Sequence, residues 1–337
     1  MSKLTRRAVL AATMAPLAVP PLATPAIAQS RIKVKFAGGG VALYGYMPFF
    51  VATGRQLWQK HGLDPDIAMF PGGAPAMQAV LGGSSQIACG YYEHTVQMAA
   101  KGAKLQAFVL QAQNSGLALG VRKALGGEIK TIADLKGRKI GVSAPGSATH
   151  MFVLQLLAKA GLKAGDVSTI GVGTTQTALS AFERGDIDAL SLFDPIMIDL
   201  EQRGLATVLA DARNTAGSTA IFGGPYASGS LYGDTGWLDK NPDAVRGAAA
   251  AILEAVTFLK TAAPREALDS LEKGMCFLGA PVCDAGFSQN REAFQHNGRI
   301  TLEQAQTVRR MLDSFNPEIA AAKIDLSATF TARFLAG

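Results

Sequence analysis

Charge, cysteine and histidine are all scarce in this 337-residue chain, and each shortage removes a class of function. Only 17% of the residues are Asp, Glu, Lys or Arg, and they form no runs of one sign. No stretch therefore offers the basic patch that a nucleic-acid backbone needs. The formal charge of +6 includes Lys3, Arg6 and Arg7 near the start, so the excess on the rest of the chain is small. Three cysteines and four widely spaced histidines make no metal-ligand framework. The motifs G-x-x-x-x-G-K-[ST], H-E-x-x-H and G-x-S-x-G are also missing, which disfavours an enzyme and leaves no candidate catalytic residue, metal or cofactor. Beyond residue 28 no apolar stretch is long enough to span a bilayer.

What is present begins with a leader. Lys3, Arg6 and Arg7 precede an uncharged run from Ala8 that ends in Ala26-Ile27-Ala28, so residues 1–28 read as a cleavable signal peptide. The paired arginines fit the twin-arginine type, with an ordinary secretory leader as the other reading. Both predict export, and no cysteine at the cleavage site supports a lipid anchor. In an oxidising compartment Cys276 and Cys283 are close enough in sequence for a small-loop disulfide; two reduced thiols are the alternative.

The remainder alternates short apolar runs with helical patterns, the rhythm of an α/β fold with mostly parallel strands. Strands are predicted at Ile32–Phe36, Asp66–Phe70, Gln86–Cys89, Lys139–Val142 and Ser168–Val172, with a helix over Tyr46–Lys60 and another from Ala74 to Leu81. Gly73-(helix)-Gln86-Ile87-Ala88 recurs as Gly173-(helix)-Asp186-Ile187-Asp188, which predicts two similar lobes of βαβ type. Two extended, helix-poor stretches, Gln111–Val121 and Thr215–Ser230, are the candidate crossover strands. Lobe one then comprises residues 29–115 plus 223–337, and lobe two residues 116–222. Helices starting at Asn241-Pro242, at Pro264 and at the cap Thr301 are expected to brace lobe one.

Glycine, serine and threonine crowd the strand-to-helix turns at Gly38–Gly40, Gly72-Gly73, Ser143–Thr149 and Gly173–Thr175. In open parallel sheets such turns leave the carboxyl ends of the strands beside the ligand crevice. Their N–H groups and helix starts favour an anion, although each turn taken singly needs these residues only to turn and cap. Tyr44, Tyr46, Tyr91, Tyr92, Phe193 and Tyr226 punctuate the same places and suit either an aromatic-walled pocket or core packing. Of the histidines, His94 and His150 lie nearest these turns.

The run Gly141-Val142-Ser143-Ala144-Pro145-Gly146-Ser147-Ala148-Thr149-His150, with Gly90-Tyr91-Tyr92-Glu93-His94-Thr95 and Phe193-Asp194-Pro195, resembles the nitrate/sulfonate/taurine-type periplasmic binding proteins of ABC transporters. The resemblance implies a type II periplasmic binding protein fold: two lobes joined by two crossover strands, closing over a small anion. It further implies a soluble periplasmic monomer that delivers its ligand to a membrane permease. Carried onto this chain, the ligand contacts fall at Tyr44, Gly90, Tyr91, Tyr92, Ser143, Ser147, Thr149 with His150 beside it, and Asp194; Tyr226 joins them from the second crossover. Asp194 is awkward for an anion and either caps the loop before Pro195 or accepts from a ligand amine or hydroxyl. Two rival functions share the fold: a ligand-sensing co-receptor for a membrane signalling protein, and a pyrimidine-precursor enzyme. The second uses a cysteine-rich motif that this chain lacks.

Overall fold

The computed structural model describes residues 31–41, 44–272 and 275–335, and the signal-peptide reading of residues 1–28 lies outside the described residues. The strands in chain order are β1 (Ile32–Gly38), β2 (Leu63–Met69), β3 (Ile87–Tyr91), β4 (Leu105–Leu110), β5 (Leu117–Arg122), β6 (Lys139–Val142), β7 (Ser168–Gly171), β8 (Ala189–Phe193), β9 (Ala206–Asp211) and β10 (Gly229–Asp234). They form two five-stranded sheets, ordered β2-β1-β3-β10-β4 and β7-β6-β8-β5-β9. The two orders correspond place by place. In the first, β1 runs parallel to β2 and β3, and β10 antiparallel to β3 and β4. In the second, β6 runs parallel to β7 and β8, and β5 antiparallel to β8 and β9.

Each sheet is the centre of one lobe, and each takes its antiparallel strand from chain that has just crossed from the other. Helices cover both faces of such sheets, so their inner strands are apolar throughout; β3 and β8 are buried at every residue. The repeat read from the sequence is visible here, since the helix Gly73–Leu81 precedes β3 as the helix Gln176–Arg184 precedes β8.

Three expectations are corrected. The helix anticipated over Tyr46–Lys60 is broken into Met47–Gly54 and Leu57–Lys60, with Gln56 between them at φ 55°. The break turns Trp58 inward, where its ring lies 4.9 Å from Phe36 and 5.3 Å from Phe49 while its indole N–H donates to Thr53 Oγ1 at 2.9 Å. Burying such a side chain contributes about 1.5–3 kcal/mol, enough to outweigh one helical turn.

The stretch Thr215–Ser230 is not extended throughout: Thr215–Phe222 is a helix, whose N-cap Asn214 accepts from Gly217 N at 2.8 Å. Only residues 223–228 cross between lobes. Finally, the C-terminal helices do not all brace one lobe. Pro242–Thr261 packs on the Met47 helix and β4, but Leu302–Asp313 touches Glu93–Ala99 of the first lobe as well as Ala148–Lys159 and Thr215–Phe222 of the second. Thr301 caps it, accepting from Gln304 N at 3.2 Å while Gln304 Oε1 accepts from Thr301 N at 2.9 Å.

Candidate functional site

The parallel strands of both sheets deliver their turns to one seam between the lobes, and the two sides touch. Across it the Ala74 N–H donates to Ser147 Oγ at 2.9 Å and the Val41 N–H to Thr174 Oγ1 at 3.3 Å. Gly72 stands between these contacts: a Cβ there would lie 2.7 Å from Ser147 Oγ and 3.0 Å from Ser143 Oγ. Its backbone is extended, so what demands glycine is the opposing lobe and not the turn.

On the second lobe, the predicted residues Ser143, Ser147, Thr149 and His150 come together around the start of the Ala148 helix. Thr149 Oγ1 accepts from Ser143 N at 3.0 Å and lies 2.8 Å from Ser143 Oγ. The Gly146 N–H donates to His150 Nδ1 at 3.0 Å, and burial lowers the pKa of that ring. Ser147 occupies the N-cap of its own helix without capping it by its side chain; its hydroxyl serves the Gly73 helix of the other lobe instead.

The first lobe contributes an aromatic wall. Tyr91 sends its hydroxyl to Ser115 O at 2.5 Å, and its ring lies 5.6 Å from Tyr46 and 5.5 Å from Phe193 of the second lobe. Tyr44 donates to Cys283 O at 2.6 Å, and its ring packs so closely on Gly286 that a Cβ there would stand 2.6 Å from it. The disulfide Cys276–Cys283 closes the loop just before that contact. Tyr226 donates to Glu93 Oε2 at 2.7 Å and stacks on Phe222 at 4.1 Å. Full burial pushes the Glu93 carboxyl up to about 7, against the pull of the Tyr226 hydroxyl.

Two predicted positions are not part of this wall. The Tyr92 hydroxyl pairs with Thr329 Oγ1 at 2.5 Å and its ring meets Phe330 edge-on, because residues adjacent along a strand's end face opposite ways. Gly90 lies within β3 beneath the Tyr232 hydroxyl, which a Cβ would approach to 2.7 Å.

Asp194 is buried and fully occupied by protein. Its Oδ1 accepts from Ile198 N at 2.9 Å and from Arg213 at 3.2 Å, and its Oδ2 from Asn290 Nδ2 at 2.7 Å. Burial raises its pKa to about 6 although Arg213 and Asn290 favour the charged form. Arg213 also pairs with Glu201 and Asp211, each at 2.6 Å. It is the buried arginine among the described residues, and it is spent on these carboxylates. Sequence reasoning missed Arg213 and Asn290, and it named Gly72 and Glu93 only within a turn and a motif, without their roles. The spacing Asp211-x-Arg213 was the one local signal, whereas Asn290 is 96 residues from its partner. Among the described residues no group of three or more His, Cys, Asp or Glu side chains could hold a metal ion, and no helix is long and apolar enough to cross a membrane.

Residues 45–267 match the family model described as NMT1/THI5 like. A Brucella abortus (strain 2308) protein with the name of a binding protein is 30% identical over 224 residues, a match spanning 66% of this chain and 66% of that protein. A solved structure from Bordetella bronchiseptica RB50 superposes with a TM-score of 0.88 at 38% identity, covering 90% of this chain and 96% of that one. The alkanesulfonate-binding protein SsuA from Xanthomonas axonopodis pv. citri, solved with MOPS bound, superposes with a TM-score of 0.70 at 18% identity, covering 90% and 98%. At that identity the likeness bears on the fold, which is that of the periplasmic binding proteins.

Proposed function

The chain belongs to the NMT1/THI5-like family, and from that premise we propose that it is the exported ligand receptor of an ABC importer, capturing a small organic anion between its lobes for a membrane permease. The observation that carries this reading is the contact of Gly72 and Ala74 with Ser143 and Ser147. Two helix starts, Gly73 and Ala148, meet there from opposite lobes, and N–H groups at helix starts favour negative charge. A sulfonate, a carboxylate or an aromatic acid suits a seam that also carries Tyr44, Tyr91 and Phe193.

In this reading no bond is made or broken. The lobes hinge at residues 111–116 and 223–228, and a ligand that touches both lobes stabilises the closed state by its preference for that state. The lobe boundaries at 115/116 and 222/223 and the periplasmic location belong to the same proposal. The ligand contacts it assigns are Tyr44, Tyr91, Ser143, Ser147, Thr149, His150 and Tyr226.

The test is thermal unfolding of residues 29–337 against millimolar sulfonates, aliphatic and aromatic carboxylates and nitrate. A ligand at a hundred times its Kd adds about 2.7 kcal/mol, a readily measured shift in Tm. A shift with the compound recovered unchanged supports the receptor; a flat response to every anion overturns the anion assignment.

A further inference from the structure

Among the described residues a few buried side-chain atoms make no hydrogen bond, and one of them, His94 Nε2, lies where the Gly73 helix starts. His94 lies in the first turn of the helix Glu93–Ala99 and is completely buried, yet its Nε2 makes no hydrogen bond. Its other nitrogen, Nδ1, sits 3.2 Å from the Tyr232 hydroxyl, and the two rings meet edge-on at 6.1 Å. The carbon between the nitrogens, Cε1, presses on Gly73, where a Cβ would stand 2.6 Å away. Backbone groups of Tyr91 and, from the opposite lobe, Gly146 come close enough to the ring to favour its protonated form, although neither completes a hydrogen bond to Nε2. His94 therefore stands where the Gly73 helix begins and where the second lobe arrives.

An unpaired buried nitrogen costs about 1–3 kcal/mol, so a native fold keeps one where something else completes it. Burial holds this imidazole neutral, with its pKa lowered to about 4, so one nitrogen donates and the other accepts. When Tyr232 donates to Nδ1, the ring proton is on Nε2, which then offers a neutral N–H without a hydrogen-bond partner. Among the described residues no buried lysine supplies a charge, and Arg213 is consumed by Asp194, Glu201 and Asp211.

We propose that His94 is a specificity-determining residue of the cleft, donating its Nε2–H to an oxygen of the ligand's oxyanion head group, with Tyr232 selecting the tautomer that does so. This inference rests on the receptor reading above and deepens it: the head group is held by uncharged donors, and His94 is one of them. Neutral donors recognise an oxyanion by where its oxygens lie as well as by its charge, so the geometry of the head group decides affinity.

The experiment titrates ethanesulfonate, benzoate and nitrate into the wild type and into the double variant His94→Phe/Tyr232→Phe, which removes the imidazole without orphaning the hydroxyl. The oxyanion that the wild type binds best loses affinity by about 10- to 100-fold in the double variant, while the Tm of the ligand-free protein does not fall. His94→Gln, which restores an N–H, recovers part of the affinity. Nitrogen-15 spectra of the wild-type complex place the ring proton on Nε2, and this measurement stands even if the variant fails to fold. Unchanged affinity in a folded variant, or a bound state with Nε2 unprotonated, overturns the role of His94 and leaves the receptor reading intact. A wild type that binds none of the three anions overturns both the role of His94 and the anion assignment.

Discussion

The hydroxyl of Ser147 accepts the backbone N–H of Ala74 at 2.9 Å across the cleft and so caps a helix that belongs to the other lobe. The Gly73 helix has glycine at its N-cap and no side-chain cap of its own. In the receptor reading, closure supplies what the local sequence withholds, and opening removes it. A cap of this kind is worth about 1 kcal/mol. Ser147→Ala is expected to shift the ligand-free protein toward the open form. Gly72→Ala does so more strongly, because the new Cβ would meet Ser147 and Ser143 while leaving an extended backbone unstrained. Small-angle scattering checks this through the radius of gyration, which increases in both variants; an unchanged radius in Gly72→Ala would show that the lobes do not need this contact.

Glu93 makes stability depend on pH. Its carboxyl is raised to about 7 in the folded protein by burial, so the folded state holds the proton more tightly than the unfolded chain does. The resulting stabilisation is complete below the unfolded value near 4.5, declines as pH rises from there to 7, and is absent above. Glu93→Gln keeps an acceptor for Tyr226 and no charge. Relative to wild type it should gain up to about 3 kcal/mol between pH 4.5 and pH 8, read as the difference between two urea-unfolding series. Parallel curves across that range would place the titration elsewhere.

Removing Arg213 strands a buried carboxylate. Arg213→Met leaves Asp194 with Ile198 N and Asn290 as its donors, at a cost of about 3–5 kcal/mol. Arg213→Met combined with Asp194→Asn should recover a substantial part, because the charge that needed Arg213 is gone. Chemical denaturation of the three proteins decides it, and a double variant as unstable as the single one would contradict the pairing.

The Cys276–Cys283 bond closes a loop with a sequence separation of 7, for which chain entropy predicts about 2.5 kcal/mol of stabilisation. Cys283 also carries the carbonyl that holds the Tyr44 hydroxyl. The variant Cys276→Ser/Cys283→Ser is expected to lose that stability and, with it, ligand affinity, because the Tyr44 side of the cleft loosens. Equal affinity in the folded variant would show that Tyr44 is held by its packing on Gly286 alone.

Much of the fold was legible because its signals are local. Alternating apolar runs marked the parallel strands, and β6 fell at Lys139–Val142 as read. Thr301 announced a helix start, and the structure pairs it with Gln304 in a capping box. The Thr215 helix was misjudged for the opposite reason: glycine, serine and threonine dominate it, and its cap Asn214 was overlooked. The break at Gln56 follows from the burial of Trp58 against Phe36, a partner in another element.

By itself the sequence determined the alternation of strands and helices and the glycine- and hydroxyl-rich turns at the strand ends, since each depends on residues a few positions apart, and the recurrence of the Gly73 unit at Gly173 pointed to two lobes. Tertiary structure alone decided which of those groups are free. It spent Arg213 on Asp194, turned Tyr92 toward Thr329, set Gly72 against Ser147 and left His94 Nε2 without a partner. A hydrogen bond between residues far apart in the chain exists only once packing has brought them within 3 Å and removed the water that would otherwise serve them.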